Sequence, residues 1–107
     1  MFNFGKKAKD EELTRLIDIY QRCVINRFSD KNYKETIDNC NLILELNPRN
    51  SIAIEFKIRA LLELENYNDF GEEIDKLEDK LREIEPNNPW IIEYDEFKRK
   101  WVDGDRK

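Results

Sequence analysis

The chain has 107 residues, of which 39% are hydrophobic and 40% are charged, and its formal net charge is −5. This length and composition predict one small globular domain without a deep enclosed active site. The acidic balance argues against a nucleic-acid partner, because affinity for phosphates rests largely on Lys and Arg.

We expect the protein to be cytoplasmic and not inserted in a membrane. No segment approaches the roughly 20 consecutive apolar residues that are needed to span a bilayer. The first residues lack the apolar core and the cleavage site of a signal peptide. The only two cysteines, Cys23 and Cys40, fit a reducing compartment.

Two amphipathic helices are predicted in the first half of the chain. In the first, apolar residues recur at spacings of three and four, and Asp10 is the expected N-cap. The second carries apolar residues from Tyr33 onward. It ends at Asn47-Pro48, because proline disfavours helical geometry at the residue before it.

The third and fourth predicted helices are separated by the segment around residue 66. The third runs from about Ser51 to Glu65 and is apolar on more than one face, which predicts that it is covered from two sides. The fourth begins at the capping-box pattern of Asp69 and Glu72 and ends before Pro86.

The outer face of the fourth helix is predicted to be charged and solvated. Oppositely charged side chains four residues apart stabilise a helix by a few tenths of a kcal/mol per pair. Asp75, Asp79 and Glu83 share a face, but a calcium loop needs a glycine-containing turn, so we expect no metal site there. The expected ion pairs are Glu72 with Lys76 and Glu78 with Arg82.

The fifth predicted helix opens with Asn88 as its cap and Pro89 at the first helical position. It is expected to end near Val102. The folded domain is therefore predicted to span residues 10–102, between a flexible N-terminus of residues 1–9 and a flexible C-terminus of residues 103–107.

No enzymatic chemistry is predicted. The chain contains no His, and His is the commonest general base and metal ligand. Cys40 falls among apolar positions and Cys23 borders an apolar face, so core packing is expected for both thiols. No glycine-rich loop is present to hold a phosphate, and no cofactor is expected.

Two short segments of the chain recur. Asn32-Tyr33 recurs as Asn66-Tyr67 at an offset of 34 residues, and residues 46–56 resemble residues 84–94 at an offset of 38. Because the two offsets differ by four residues, the fourth predicted helix is four residues longer than the second. Four residues are about one helical turn, so the added length preserves the buried face of the helix. Each recurring segment lies between two predicted helices.

These recurrences resemble the tetratricopeptide repeat, which is a helical hairpin of about 34 residues. The two tyrosines match the aromatic residue that opens the second helix of the family's hairpin, and Pro48 and Pro86 match its closing proline. The resemblance covers roughly residues 18–101. Four positions carry larger residues than the family prefers, which predicts hairpins set wider apart: Val24, Thr36, Ile58 and Phe70.

The resemblance implies an all-α fold, a short α-solenoid of about two hairpins and a terminal helix. It also implies a largely apolar concave groove that binds a peptide or a helix of a protein partner, lined by the first helix of each hairpin. The implied partner-binding residues are Ile25, Phe28, Ile52, Phe56, Arg59, Leu62, Trp90, Tyr94, Phe97 and Trp101.

Three kinds of binding protein are compatible with this pattern. The first is an adaptor that holds a peptide or helix in the groove, and this is the favoured interpretation. The second is a structural subunit that uses the same apolar surface for homo-oligomerisation or permanent docking. The third is a co-chaperone that grips a carboxylate tail, but its basic clamp positions hold other residues here: Gln21, Ile25, Phe56, Trp90 and Tyr94.

The fifth helix carries an aromatic stripe that leaves two alternatives open. Strict repeat register is expected to turn charged residues inward, and burying unpaired charge is prohibitive. The helix is therefore not expected simply to continue the repeat. In one alternative it rotates, so that its aromatic residues pack on the fourth helix and cap the array. In the other the stripe, beside Ile52 and Phe56, stays partly open as a contact surface. The stripe is Trp90, Tyr94, Phe97 and Trp101, and the inward positions are Ile92, Asp95, Glu96 and Arg99.

Overall fold

The computed structural model of the protein describes the backbone of residues 3–64 and 67–105 and the side chains of residues 9–64 and 71–100. The described part of the chain is all-α and contains no strand, as predicted. Its helices are α1 (Asn3–Ser29), α2 (Tyr33–Leu46), α3 (Ser51–Glu63), α4 (Tyr67–Ile84) and α5 (Pro89–Asp105).

Three asparagines cap the helices, and the corresponding starts were predicted. The side-chain oxygens of Asn32, Asn50 and Asn88 each accept a hydrogen bond from a backbone N–H three residues later, at 3.3, 2.9 and 3.0 Å. Such a bond satisfies one of the four N–H groups that a helix start leaves without an intrahelical partner. The predicted end of α2 before Asn47-Pro48 is confirmed.

Three predicted boundaries are wrong. Asp10 lies inside α1 rather than at its N-cap, because the Lys- and Ala-containing segment before it continues the helix. Asp69 lies in the first turn of α4, which already begins at Tyr67, so it is not the start of a capping box. α5 passes Val102 and reaches Asp105, since no proline stops it there. Whether the two ends of the chain are flexible stays a prediction.

Each helix packs on the next one in the chain, and α1 also contacts α3. Two groups of buried side chains form the core. The first core cluster joins α1, α2 and α3 and consists of Val24, Cys40, Ile43 and Ala53. The second core cluster joins α3, α4 and α5 and consists of Ile54, Ile58, Leu61, Ile74, Leu81 and Ile91.

α3 contributes to both core clusters and is therefore covered from two sides, as its sequence predicted. Ala53 faces the first cluster, whereas Ile54, Ile58 and Leu61 face the second. Burial of one such side chain contributes about 1.5–3 kcal/mol. None of the helices in the described ranges has an apolar segment long enough to cross a membrane.

The two proline-containing turns, after α2 and after α4, have the same hydrogen bonds 38 residues apart. Asn50 N–H donates to the Asn47 carbonyl at 3.1 Å, and Asn88 N–H donates to the Glu85 carbonyl at 3.0 Å. Because the two turns match, α5 leaves α4 in the same register as α3 leaves α2. The preceding bonds, Asn47 to Ile43 and Glu85 to Leu81, are both 2.7 Å long.

Cys40 is fully buried in the first core cluster, which confirms its predicted packing role. Burial raises the pKa of the Cys40 thiol to about 12, and a smaller opposing effect comes from the charge of Lys57. Cys23 is half-buried on α1. The two thiols therefore differ in accessibility within one molecule.

We expect a thiol reagent at neutral pH to modify Cys23 much faster than Cys40 in the native protein. The thiolate is the nucleophile, and Cys40, with a pKa of about 12, stays protonated across the neutral range. Mass spectrometry of the labelled peptides measures both rates, and labelling in denaturant, where both thiols react alike, is the control. Native labelling of Cys40 as fast as Cys23 would contradict the buried position.

Candidate functional site

Aromatic side chains from three helices lie along one surface of the protein. Phe28 of α1 meets Phe56 of α3 edge to face, with ring centroids 5.4 Å apart. Trp90 and Tyr94 of α5 have centroids 5.1 Å apart. We call these four residues the aromatic row. Such pairs contribute about 0.5–1.5 kcal/mol each beyond the area that they bury.

Arg59 of α3 connects the two halves of the aromatic row. Its guanidinium carbon lies 5.0 Å from the ring centroid of Phe28, 4.8 Å from that of Phe56 and 5.8 Å from that of Trp90. A cation at these distances is attracted to the negative face of each ring. The guanidinium is therefore held between rings that belong to α1, α3 and α5.

A chain of polar contacts runs from Arg59 to the start of α5. Arg59 Nη1 pairs with Glu55 Oε2 at 3.0 Å, and Glu55 Oε1 accepts a hydrogen bond from Asn88 Nδ2 at 3.0 Å. Asn88 Nδ2 also donates to Glu85 Oε1 at 2.9 Å. Asn88 is thus both the cap of α5 and a link to α3. The sequence predicted the cap, but the link depends on a contact 33 residues away.

A second set of polar contacts holds α5 against α4. Glu78, whose side chain is only 4% exposed, accepts from Lys98 Nζ at 2.9 Å and from Arg82 Nη2 at 3.4 Å. Arg82 also donates to the carboxylate of Asp95, and this hydrogen bond raises the pKa of Arg82. We call these four residues the α4–α5 charge cluster. Lys98 Nζ additionally lies 4.7 Å from the ring centroid of Tyr94.

The position of Glu78 in the α4–α5 charge cluster differs from the predicted one. Both expected ion pairs are present: Glu72 with Lys76 at 3.3 Å and Glu78 with Arg82. Glu72 is on the exposed face as predicted, but Glu78 is buried against α5 rather than on the outer face. Its burial is tolerated because two basic side chains satisfy the carboxylate.

The expectation that strict register would bury unpaired charge on α5 is also wrong. α5 keeps the register of α3, because Ile91 is buried where Ala53 is buried 38 residues earlier. Asp95 does face α4, but it is paired with Arg82 and is not an isolated charge.

The other predicted inward positions on α5 are exposed: Ile92, Glu96 and Arg99. They match Ile54, Ile58 and Leu61, which α4 covers on α3. No further helix follows α5 within the described residues to cover them, so strict register buries no unpaired charge.

The aromatic stripe of α5 is consequently divided between core and surface. Trp90 packs against the second core cluster, and Tyr94 is half-buried. Phe97 is 64% exposed, so the capping alternative is wrong for this residue. The side chain of Trp101 lies outside the described residues.

The structure therefore brings together some of the predicted partner-binding residues and leaves others apart. Arg59 contacts the rings of Phe28, Phe56 and Trp90, Phe28 contacts Phe56, and Tyr94 lies beside Trp90. Leu62 packs against the second core cluster. Three apolar residues are exposed, one on each of α1, α3 and α5: Ile25, Ile52 and Phe97. Each of them lies three or four residues from a member of the aromatic row on its own helix, which places it on the same helical face as that ring.

Comparison of the chain with models of protein families, with curated proteins and with solved structures finds no match. The tetratricopeptide resemblance thus stays a prediction from this chain's own residues. Among the side chains that the structure describes, no group of three or more acidic or Cys residues is placed to hold a metal ion.

We expect Asn88→Ala to destabilise the protein more than the matched substitution Asn50→Ala. Both remove an N-cap, which costs about 1 kcal/mol. Asn88→Ala also removes the donor shared by Glu55 and Glu85, which adds about 1–3 kcal/mol for bonds to charged groups. Chemical denaturation measures both free energies of unfolding. Equal losses would show that the Asn88–Glu55 link contributes nothing.

We expect Glu78→Gln to lower the free energy of unfolding by about 1–3 kcal/mol, because two charge-assisted hydrogen bonds are weakened in a buried position. Glu72→Gln is the control. Its ion pair is exposed, so the loss should stay within about 0.5 kcal/mol. If the two variants unfold at the same denaturant concentration, the charge cluster does not hold α5.

Proposed function

We propose that the protein is a non-enzymatic adaptor that binds a peptide or a helix of another protein across α1, α3 and α5. The observation that carries this proposal is the exposed apolar surface on those helices around a fixed centre. Ile25, Ile52 and Phe97 are exposed, while Arg59 and the aromatic row fix the surface between them. Fixed, preorganised surfaces lose less conformational entropy on binding.

The proposal treats the five helices as a short α-solenoid of tetratricopeptide-like hairpins. Short connections between consecutive helices favour antiparallel neighbours, and each helix does pack on the next. The matching turns before α3 and α5 and the contact between α1 and α3 support a repeating arrangement. In such an array the first helices of the hairpins share one concave surface.

Several features support binding rather than catalysis. The chain contains no His, and burial raises the pKa of the Cys40 thiol far above neutrality. The basic residues of a carboxylate-tail clamp are not at the matching positions, so a co-chaperone is disfavoured. The two free cysteines, Cys23 and Cys40, fit the cytoplasm.

One observation favours a structural subunit as the second candidate function. Ile19 of α1 is 55% exposed and Leu16 beside it is also exposed. Ile19 matches Ala53, which α2 covers on α3, and no helix precedes α1 within the described residues. A helix of another copy or of a larger assembly would bury this face of α1.

We expect Phe97→Asp to leave the free energy of unfolding within about 0.5 kcal/mol of the wild type, since the side chain is mostly exposed. The same variant should lose a protein partner that wild-type bait recovers from the source cells, because a charge in an apolar contact is costly. Ile92→Asp is the matched control: Ile92 is 43% exposed on the same helix but outside the groove, and binding should survive.

The mass of the purified protein in solution separates the two candidate functions. A monomer whose partner depends on Phe97 supports the adaptor. An oligomer that dissociates on Ile19→Asp and not on Phe97→Asp supports the structural subunit. A partner that binds the wild type and Phe97→Asp equally well contradicts the proposed groove.

A further inference from the structure

Arg59 has hydrogen-bonding capacity that the described residues do not use. A guanidinium has five N–H donors in a planar fork, but within the described residues Arg59 donates only from Nη1, to Glu55. No described side-chain nitrogen or oxygen is both buried and without a hydrogen-bond partner, so Nε and Nη2 are open to solvent. The Arg59 side chain is 32% exposed.

Arg82 differs from Arg59 in the number of carboxylates that it binds. Its guanidinium donates to three carboxylates, those of Glu78, Asp79 and Asp95. Arg59 contacts three rings and one carboxylate, and no second carboxylate pairs with it among the described residues. An arginine fixed in this way loses little entropy when it binds a planar bidentate group.

Glu63 lies on the same face of α3 as Arg59. Ile52, Phe56, Arg59 and Glu63 follow one another at spacings of four, three and four, which places them on one face of a helix. Glu63 is exposed and pairs with no described residue. This face therefore presents guanidinium donors that the described residues do not use, the carboxylate of Glu63 one turn further on, and the exposed Ile52 two turns before Arg59.

We propose that the groove binds a peptide segment that presents a carboxylate side chain to Arg59 and a basic side chain to Glu63, with apolar side chains on Ile52 and Phe97. This inference rests on the proposed adaptor function and specifies its partner. Charge-assisted hydrogen bonds to a planar guanidinium are strong and geometrically specific. Opposite charges at the two positions also set the direction of the peptide along α3.

The occupied ring faces argue against the alternative of a cationic side chain in the aromatic row. Arg59 lies over Phe28, Phe56 and Trp90, and Lys98 lies over Tyr94. A partner cation would displace one of the protein's own cations or meet its charge. An anion at Arg59 displaces no described group, because Glu55 occupies only Nη1 and bonds to Asn88 through its other oxygen.

A random peptide library displayed on phage and selected on the wild-type protein tests the proposal. Enriched peptides should combine an acidic and a basic residue with apolar ones. Synthetic copies should bind Arg59→Lys, Arg59→Gln and Glu63→Lys about tenfold or more weakly by fluorescence anisotropy. Exchanging the peptide's basic residue for an acidic one should restore binding to Glu63→Lys.

Glu96→Lys is the control for Glu63→Lys, because Glu96 is equally exposed but lies on the outer face of α5. It should bind like the wild type. Melting temperatures identify any Arg59 variant that is misfolded, and Glu63→Lys tests the same proposal at a site without described partners.

The possible outcomes separate this inference from the proposed function. Peptides that depend on Phe97 but lack an acidic residue, or that bind Arg59→Lys unchanged, overturn the inference and leave the adaptor proposal intact. If no enriched peptide depends on Phe97, both proposals fail. Dependence on Phe97, Arg59 and Glu63 together supports both.

Discussion

The contact between Glu55 and Asn88 determines where the last helix lies, and the candidate surface depends on it. One oxygen of Glu55 accepts from Asn88 and the other pairs with Arg59, so a single carboxylate fixes the start of α5 and the position of the guanidinium. Arg59 in turn holds rings from α1 and α5. Directional hydrogen bonds are suited to this role because they specify an orientation that apolar contacts alone leave loose.

The two helix junctions before α3 and α5 have the same backbone geometry but different chemistry. In the first junction Cys40 and Ala60 are buried and apolar; 38 residues later the matching positions hold Glu78 and Lys98, which form an ion pair. A buried ion pair recovers its desolvation cost only with good geometry, and apolar replacements are often as stable. α5 is therefore attached in a specific orientation and with less apolar burial than α3.

Local patterns in the sequence were sufficient for the helices and for the boundaries next to prolines and asparagine caps, because these residues act within a few positions. Local patterns were insufficient to predict which residues of α4 are buried. Spacing predicts that Glu78 pairs with Arg82, but its burial depends on Lys98, which is 20 residues away. The error about α5 has a similar origin: Ile92 matches a position that is buried on α3 only because α4 follows. For the candidate surface, the sequence predicted the aromatic residues but not their contacts with the guanidinium of Arg59.

In the proposed adaptor, partner binding and the docking of α5 depend on each other. Ile25, Ile52 and Phe97 belong to three different helices, so a partner that covers all three needs α5 in its docked position. The docked position relies on hydrogen bonds and charges more than on buried apolar area. A partner that binds only this arrangement adds its own binding free energy to the docking of α5 by mass action. In the proposed adaptor, a bound partner therefore also strengthens the docking of α5 on α4.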